Sequence, residues 1–231
     1  MSGPTIVPIT IAVLDMAGTT VSDGGVVEDA FLAALASVGI GADHPRLADD
    51  LGYVRATMGR SKIEVFREVL GDEDAAQRAN QAFEAAIDDA VRAGAVEPLP
   101  GAEAALGELR DHGLAVCLTT GFSAGTRDLI VAKLGWADLV DLVLAPEPGV
   151  RGRPHPDLVL TALMRLGHED VRAVAVAGDT ANDLLAGWRA GAGIVAGVLT
   201  GAHGREELTA APHTHVLASV GELPGIVRAH S

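Results

Sequence analysis

The sequence predicts an α/β fold: a parallel sheet flanked by helices, with a helical domain inserted after the first strand. Three observations carry this reading. Short apolar runs rich in β-branched residues alternate with helical patterns over most of the chain, as βαβ units require. Polar residues with chemical potential follow the carboxyl ends of several runs, where ligands bind in open parallel sheets. One segment, from about Ser22 to Pro98, breaks the alternation with helical patterns and no good strand.

In chain order, Ile9–Leu14 (ITIAVL) is the first strand and ends at Asp15. Helical patterns then cover Glu28–Val38, Leu47–Thr57, Lys62–Leu70 and Asp74–Ala93, where Ala, Leu and charged residues recur at helical spacing. Gly24-Gly25 and Pro98-Leu99-Pro100-Gly101 punctuate the two ends of this segment. Beyond it come a helix at Ala102–Asp111, a strand at Leu114–Leu118, a helix at Ser123–Leu134 and a strand at Leu139–Leu144. A helix at Asp157–Leu166, a strand at Val171–Ala177 and a helix at Ala181–Ala190 follow. Weaker patterns suggest strands at Ile194–Leu199 and His215–Ala218 and a last helix at Val220–Val227, interrupted by Pro224-Gly225. Right-handed crossovers put the helices on both faces of the sheet. Residues 1–21 and 99–231 therefore read as the core, and 22–98 as a helical cap.

Composition narrows the function. The chain has 231 residues, 48% of them hydrophobic, and a mean hydropathy of +0.29, so it is long and apolar enough to bury a core. Aromatic residues are only 3%, which leaves Ala, Val and Leu to fill that core and makes Trp136 and Trp188 read as core residues. The net charge of −14 repels phosphate backbones and anionic lipid, so neither nucleic acid nor a membrane surface is an expected partner. An anionic substrate needs a local cation to overcome that field. Cys117 is the single cysteine; it lies inside an apolar strand, where packing outweighs reactivity, and a chain with no possible internal disulfide suits a reducing cytoplasm. The opening MSGPTIVPIT lacks the basic start and apolar run of a signal peptide, and the longest apolar stretch, near Ala190–Leu199, is too short to span a bilayer.

The residues after the strands suggest phosphoryl chemistry. Asp15 follows the first strand, Thr119-Thr120-Gly121 the second, and Gly178-Asp179 the fourth, with Asp183 four residues on. Arg153 lies in the loop after the third. Each has an ordinary explanation: an Asp after a strand is commonly a turn residue or helix cap, and Thr120 could be a strand-end hydroxyl. Together they form a different pattern. Carboxylates converging on one cleft repel each other, and a hard cation held by oxygens, Mg²⁺, relieves the repulsion. Beside it, Thr hydroxyls and Arg153 suit a phosphoryl group, with Asp15 attacking in line to become an aspartyl phosphate. His213-x-His215 reads as a surface turn, as do His44 and His155.

At this point the motifs resemble the haloacid dehalogenase superfamily, and within it the phosphonatase-like branch. The motifs are Asp15-Met16-Ala17-Gly18-Thr19, Thr119-Thr120-Gly121, Gly152-Arg153-Pro154-His155-Pro156 and Gly178-Asp179-Thr180-Ala181-Asn182-Asp183, with Met58-Gly59-Arg60-Ser61-Lys62 in the cap. The resemblance implies a Rossmann-like core with an α-helical cap. It implies Asp15 as nucleophile and, with the Ala17 carbonyl and Asp179, as a Mg²⁺ ligand, while Asp183 supports the metal from behind. It implies that Thr19, Thr120, Gly121, Met58, Gly59 and Arg153 hold the phosphoryl group or substrate, and that Lys62 forms a Schiff base with an aldehyde. Lys62 is otherwise an ordinary solvated residue at a helix start.

Ala17 stands where most superfamily phosphatases carry an Asp that protonates the leaving alkoxide. Ala cannot donate a proton, but a C–P bond instead needs a sink for its electrons, which a protonated imine on Lys62 provides. The expected activity is thus Mg²⁺-dependent C–P cleavage of phosphonoacetaldehyde or a related small phosphonate. The alternative is a phosphate-monoester phosphatase acting on a phosphoglycolate-like compound or sugar phosphate. Gly25, Val65 and Phe122 depart from the phosphonatase pattern, which has Cys, His and Tyr there. A nucleotide-binding module without catalysis would carry Gly-x-Gly-x-x-Gly after the first strand, which is absent, and a metal-site Asp pair is surplus to halide displacement. Association through the cap into a homodimer is implied by resemblance alone.

Overall fold

The computed structural model describes residues 7–22 and 24–230. Residues 1–6, assigned above to the start of the core, lie outside the described residues.

Six strands form one parallel sheet. They are β1 (Ile11–Asp15), β4 (Ala115–Thr119), β5 (Leu142–Leu144), β6 (Val174–Gly178), β7 (Ile194–Val198) and β8 (His215–Leu217). Their order across the sheet is β5-β4-β1-β6-β7-β8, so the chain reverses direction of travel on either side of β1. Asp15 therefore ends the central strand, with Thr119 of β4 opposite it. Along β1, Ile11 and Val13 face one layer and Ala12 and Leu14 the other, all fully buried. The first layer is closed by α7 (Asp157–Arg165) through Leu158, Val159 and Ala162. The second is closed by α5 (Ala102–Asp111), α6 (Ala124–Leu134) and α10 (Leu223–Ala229). Cys117 is buried in the first layer, and burial pushes its thiol far above the usual range.

Four helices lie between β1 and β4: α1 (Val26–Ser37), α2 (Leu47–Ala56), α3 (Lys62–Leu70) and α4 (Glu73–Ala93). A short antiparallel ribbon of β2 (Val21–Ser22) and β3 (Glu97–Pro98) ties the two chain crossings together. The helices enclose an aromatic cluster. Phe31 of α1 lies 4.7 Å from Phe83 of α4 and 5.2 Å from Phe66 of α3, and Phe122, from the loop after β4, reaches Phe83 at 6.3 Å between ring centres. All four phenylalanines of the chain meet here, so the sparse aromatic content is concentrated where cap and core join.

Several expectations change in the structure. The ribbon supplies two strands at the borders of a segment read as purely helical; each is two residues long, too short to leave a pattern. Residues Val171–Ala173 form a 3₁₀ turn, so the fourth core strand starts later than its apolar run; the third starts at Leu142, three residues into its run, which follows a second 3₁₀ turn at Trp136–Asp138. The last helical pattern divides into a 3₁₀ turn and α10, with Pro224 in the first turn of α10, where its missing N–H costs nothing. A short α9 (Arg205–Ala210) lies where no helix is expected. Trp188 is 54% exposed and not a core residue. It sits on α8 (Ala181–Ala190), whose buried stripe runs through Leu184 and Gly187; position 188 is about 100° further round and turns to solvent. Trp136, by contrast, is buried and donates its indole N–H to Glu103 at 2.8 Å. Among the described residues, no helix is long and apolar enough to cross a membrane.

Candidate active site

The carboxyl ends of β1, β4 and β6 open into a cavity of about 310 Å³ between the sheet and the helical insert. Asp15, Ala17, Thr120, Gly121, Arg153 and Asp179 line its floor. Met58, Gly59 and Lys62 line it from the insert. The core motifs and the cap motif thus share one chamber.

Asp15, Asp179 and Asp183 are buried, and one carboxylate oxygen from each lies within 4.8 Å of the others. Arg153, also buried, joins them: its Nη1 lies 2.5 Å from Asp15 Oδ1 and in ion-pair contact with Asp183. Burial pushes the Asp15 carboxyl well up, aided by Asp183 and Asp179 and opposed by Arg153. Burial and the Asp183 charge likewise push Asp179 up to about 6, against the backbone N–H of Ala202. Burial alone would depress the Arg153 guanidinium; Asp15 and Asp183 more than reverse this, so it stays charged.

Local structure explains how the acids are held. Thr180 caps α8, and in return the Thr180 N–H donates to Asp183 Oδ2 at 3.0 Å, a reciprocal capping box. Asp183 is therefore neither solvated nor a simple helix residue; its other oxygen faces Arg153. Asp179 does not cap the helix. It accepts from the Ala202 N–H at 2.7 Å and from Thr19 Oγ1 at 3.3 Å. Glycines let the backbone reach it: a Cβ on Gly18 or Gly201 would fall 2.5 or 2.0 Å from Asp179 Oδ2. Thr200 closes the same corner by donating to the Gly18 carbonyl at 2.7 Å.

Three carboxylates against one guanidinium leave a buried excess of two negative charges. The upward-shifted Asp15 and Asp179 carboxyls mark that excess, and an all-oxygen donor set suits a hard divalent cation. The donor chemistry fits Mg²⁺, with Asp15, Asp179 and the Ala17 backbone able to face it.

Not every candidate faces the chamber. Thr19 is wholly buried and bonded to Asp179, so it braces a carboxylate and does not line the cavity. Asp183 likewise stands behind the floor. Lys62 is 7% exposed, and its Nζ lies 5.4, 5.7 and 5.9 Å from the ring centres of Phe31, Phe122 and Phe83. A solvated helix-start lysine is thereby excluded. Arg60 turns away from it and pairs with Glu68 through two bonds of 2.8 Å. The loop Thr200–Ala202 and the wall residues Ser22, Val27, Leu99 and Phe122 also border the cavity. Of these, Phe122 carries a signal in the sequence, as the residue at the phosphonatase Tyr position, and Gly201 a weaker one beside a strand end; the others carry none.

The comparisons agree with this geometry. Residues 9–191 match the family model described as haloacid dehalogenase-like hydrolase. A probable phosphatase, IndB, from Dickeya dadantii is 26% identical over 95% of this chain and 94% of its own length. A phosphonoacetaldehyde hydrolase from Pseudomonas putida is 30% identical over 82% of this chain and 73% of its own. The crystal structure of a phosphonoacetaldehyde hydrolase-like protein from Oleispira antarctica superposes with a TM-score of 0.79 at 21% identity, covering 100% of this chain and 96% of that one.

Proposed function

The chain belongs to the haloacid dehalogenase-like hydrolases, and from that premise we propose that it cleaves the C–P bond of a small carbonyl-bearing phosphonate, phosphonoacetaldehyde or a close relative. One observation carries the reading: Lys62 from α3 and the phosphoryl-binding floor around Asp15 line a single chamber. Ala17, where an acid would protonate an oxygen leaving group, supports it.

In this scheme the Lys62 amine adds to the substrate carbonyl and water leaves, giving a protonated imine. The Thr120 hydroxyl, the Gly121 N–H and Arg153 orient the phosphoryl oxygens. Thr120 Oγ1 accepts the Phe122 N–H at 3.1 Å, which leaves its O–H to donate to a phosphoryl oxygen. Asp15 attacks phosphorus in line, the C–P bond breaks, and its electron pair moves into the imine to give an enamine. Asp15 is left as an acyl phosphate. Water hydrolyses this to phosphate, while the enamine takes a proton on carbon and is hydrolysed from Lys62. Mg²⁺, when bound by Asp15, Asp179 and the Ala17 carbonyl, would neutralise phosphoryl charge. Asp183 and Thr19 hold Arg153 and Asp179 in place.

A phosphate-monoester phosphatase is the second reading. It is favoured by Gly25, Val65 and Phe122, which supply none of the proton-handling groups of phosphonatases, and by the likeness to IndB. The deciding experiment measures Mg²⁺-dependent phosphate release from phosphonoacetaldehyde and from p-nitrophenyl phosphate, in wild type, Lys62→Ala and the nucleophile control Asp15→Asn. Phosphonate turnover lost in Lys62→Ala is the expected result. Turnover of the aryl phosphate alone, indifferent to Lys62, would establish the phosphatase instead.

A further inference from the structure

The loop Met58–Lys62 is seated on the core at several points. Asn182, in the first turn of α8, donates from Nδ2 to the Met58 carbonyl at 2.8 Å. Met58 lies two residues beyond the end of α2, so its carbonyl has no place in that helix's hydrogen-bond ladder. Beside it, Gly59 adopts φ +84, and a Cβ there would fall 2.7 Å from Thr180 Oγ1. A Cβ on Gly121 would fall 2.4 Å from the Arg60 carbonyl, and one on Gly152 would fall 3.1 Å from Ser61 Cβ. The loops after β4, β5 and β6 thus each approach this one stretch of the insert. The stretch runs directly into Lys62. The glycines permit the approach by removing bulk; Asn182 makes a directed polar bond across it.

We propose that Asn182 is a positioning residue: its amide fastens the Met58–Lys62 loop to the start of α8 and so fixes Lys62 relative to the acids that α8 also presents. The chemical consequence for Lys62 rests on the imine reading above; the fastening itself does not. Thr180 and Asp183 occupy the same helix turn, so the phosphoryl floor and the lysine share one rigid support. A substrate entering the closed chamber meets both at a set separation, and loss of the bond frees the loop while leaving the floor intact.

The test uses Asn182→Asp, which keeps the shape but has no N–H to donate, and Asn182→Ala. Amide hydrogen exchange across residues 58–62 should quicken by about tenfold in both, the scale of one hydrogen bond, with α8 unchanged. On phosphonoacetaldehyde, kcat should fall about tenfold with KM held within about twofold, and borohydride trapping at Lys62 should fall in step. Unchanged exchange at 58–62 in Asn182→Asp overturns the proposal. So does faster exchange throughout α8, which would make Asn182 a support of the helix. If the wild type neither cleaves the phosphonate nor is trapped at Lys62, the imine reading fails, and the exchange measurement alone decides the role of Asn182.

Discussion

Replacing Gly121 by Ala adds one methyl group at the seam between core and insert. The backbone there is outside the left-handed region, so the conformation itself accepts Ala. The N–H proposed to bind a phosphoryl oxygen also survives. What changes is contact: the new Cβ would lie 2.4 Å from the Arg60 carbonyl oxygen and 3.1 Å from the Gly59 oxygen. Both are backbone atoms, so no side-chain rotation relieves the clash. Restoring ordinary contact requires the loop, and Lys62 with it, to lift by about 1 Å. A displacement of that size costs on the order of 10²-fold in rate, about 2.7 kcal/mol of barrier. The assay compares kcat/KM on phosphonoacetaldehyde with Tm. Gly152→Ala provides a graded control, because its Cβ would meet side-chain atoms at a milder 3.1 Å and should cost less. Turnover within about threefold of wild type at unchanged Tm would refute the argument that closure at this seam places the lysine.

Magnesium affinity should weaken as pH falls through about 6, because the proton that burial and Asp183 hold on Asp179 competes with the cation for the same oxygens. Calorimetric titration at pH 5.5 and 7.5 checks this: binding at the higher pH should be tighter, and equal affinities would contradict it. Phe83→Ala should destabilise the protein by about 3–5 kcal/mol in urea unfolding, since its buried ring meets Phe31, Phe66 and Phe122. A loss below about 1 kcal/mol would show that the aromatic cluster is not a principal support.

Much of this was legible in the sequence because the relevant signals are local. Apolar runs followed by Asp15, Thr119 and Gly178 announce a parallel sheet with a polar rim, and α3, α5 and α8 start and stop where their patterns do. The acids could be grouped because strand ends converge by topology. What could not be read depends on contacts between distant segments. Thr200 and Ala202 look like any loop residues until folding brings them to Gly18 and Asp179. Asn182 lies within a recognised motif, yet its bond crosses to Met58. Thr19 stands among the motif residues too, and only the fold reveals that it bonds a carboxylate and does not line the chamber. Trp188 misled because size suggests burial, whereas helix phase decides it.

The two-residue ribbon of β2 and β3 bears on how quickly the sheet can assemble. The central pairing joins Asp15 to Thr119, so forming it from an open chain closes a loop that includes the whole insert. Once the helices fold and the ribbon zips, Val21 already faces Pro98, and the stretch left to close shrinks from roughly a hundred residues to about thirty, a saving of roughly 1 kcal/mol in closure entropy. An insert that folds early works as a clasp, converting a slow, long-range strand pairing into a short-range one. Cutting the bond that continues the ribbon, from the Leu99 N–H to the Thr20 carbonyl at 3.0 Å, by Leu99→Pro should therefore slow refolding more than one backbone bond alone would suggest.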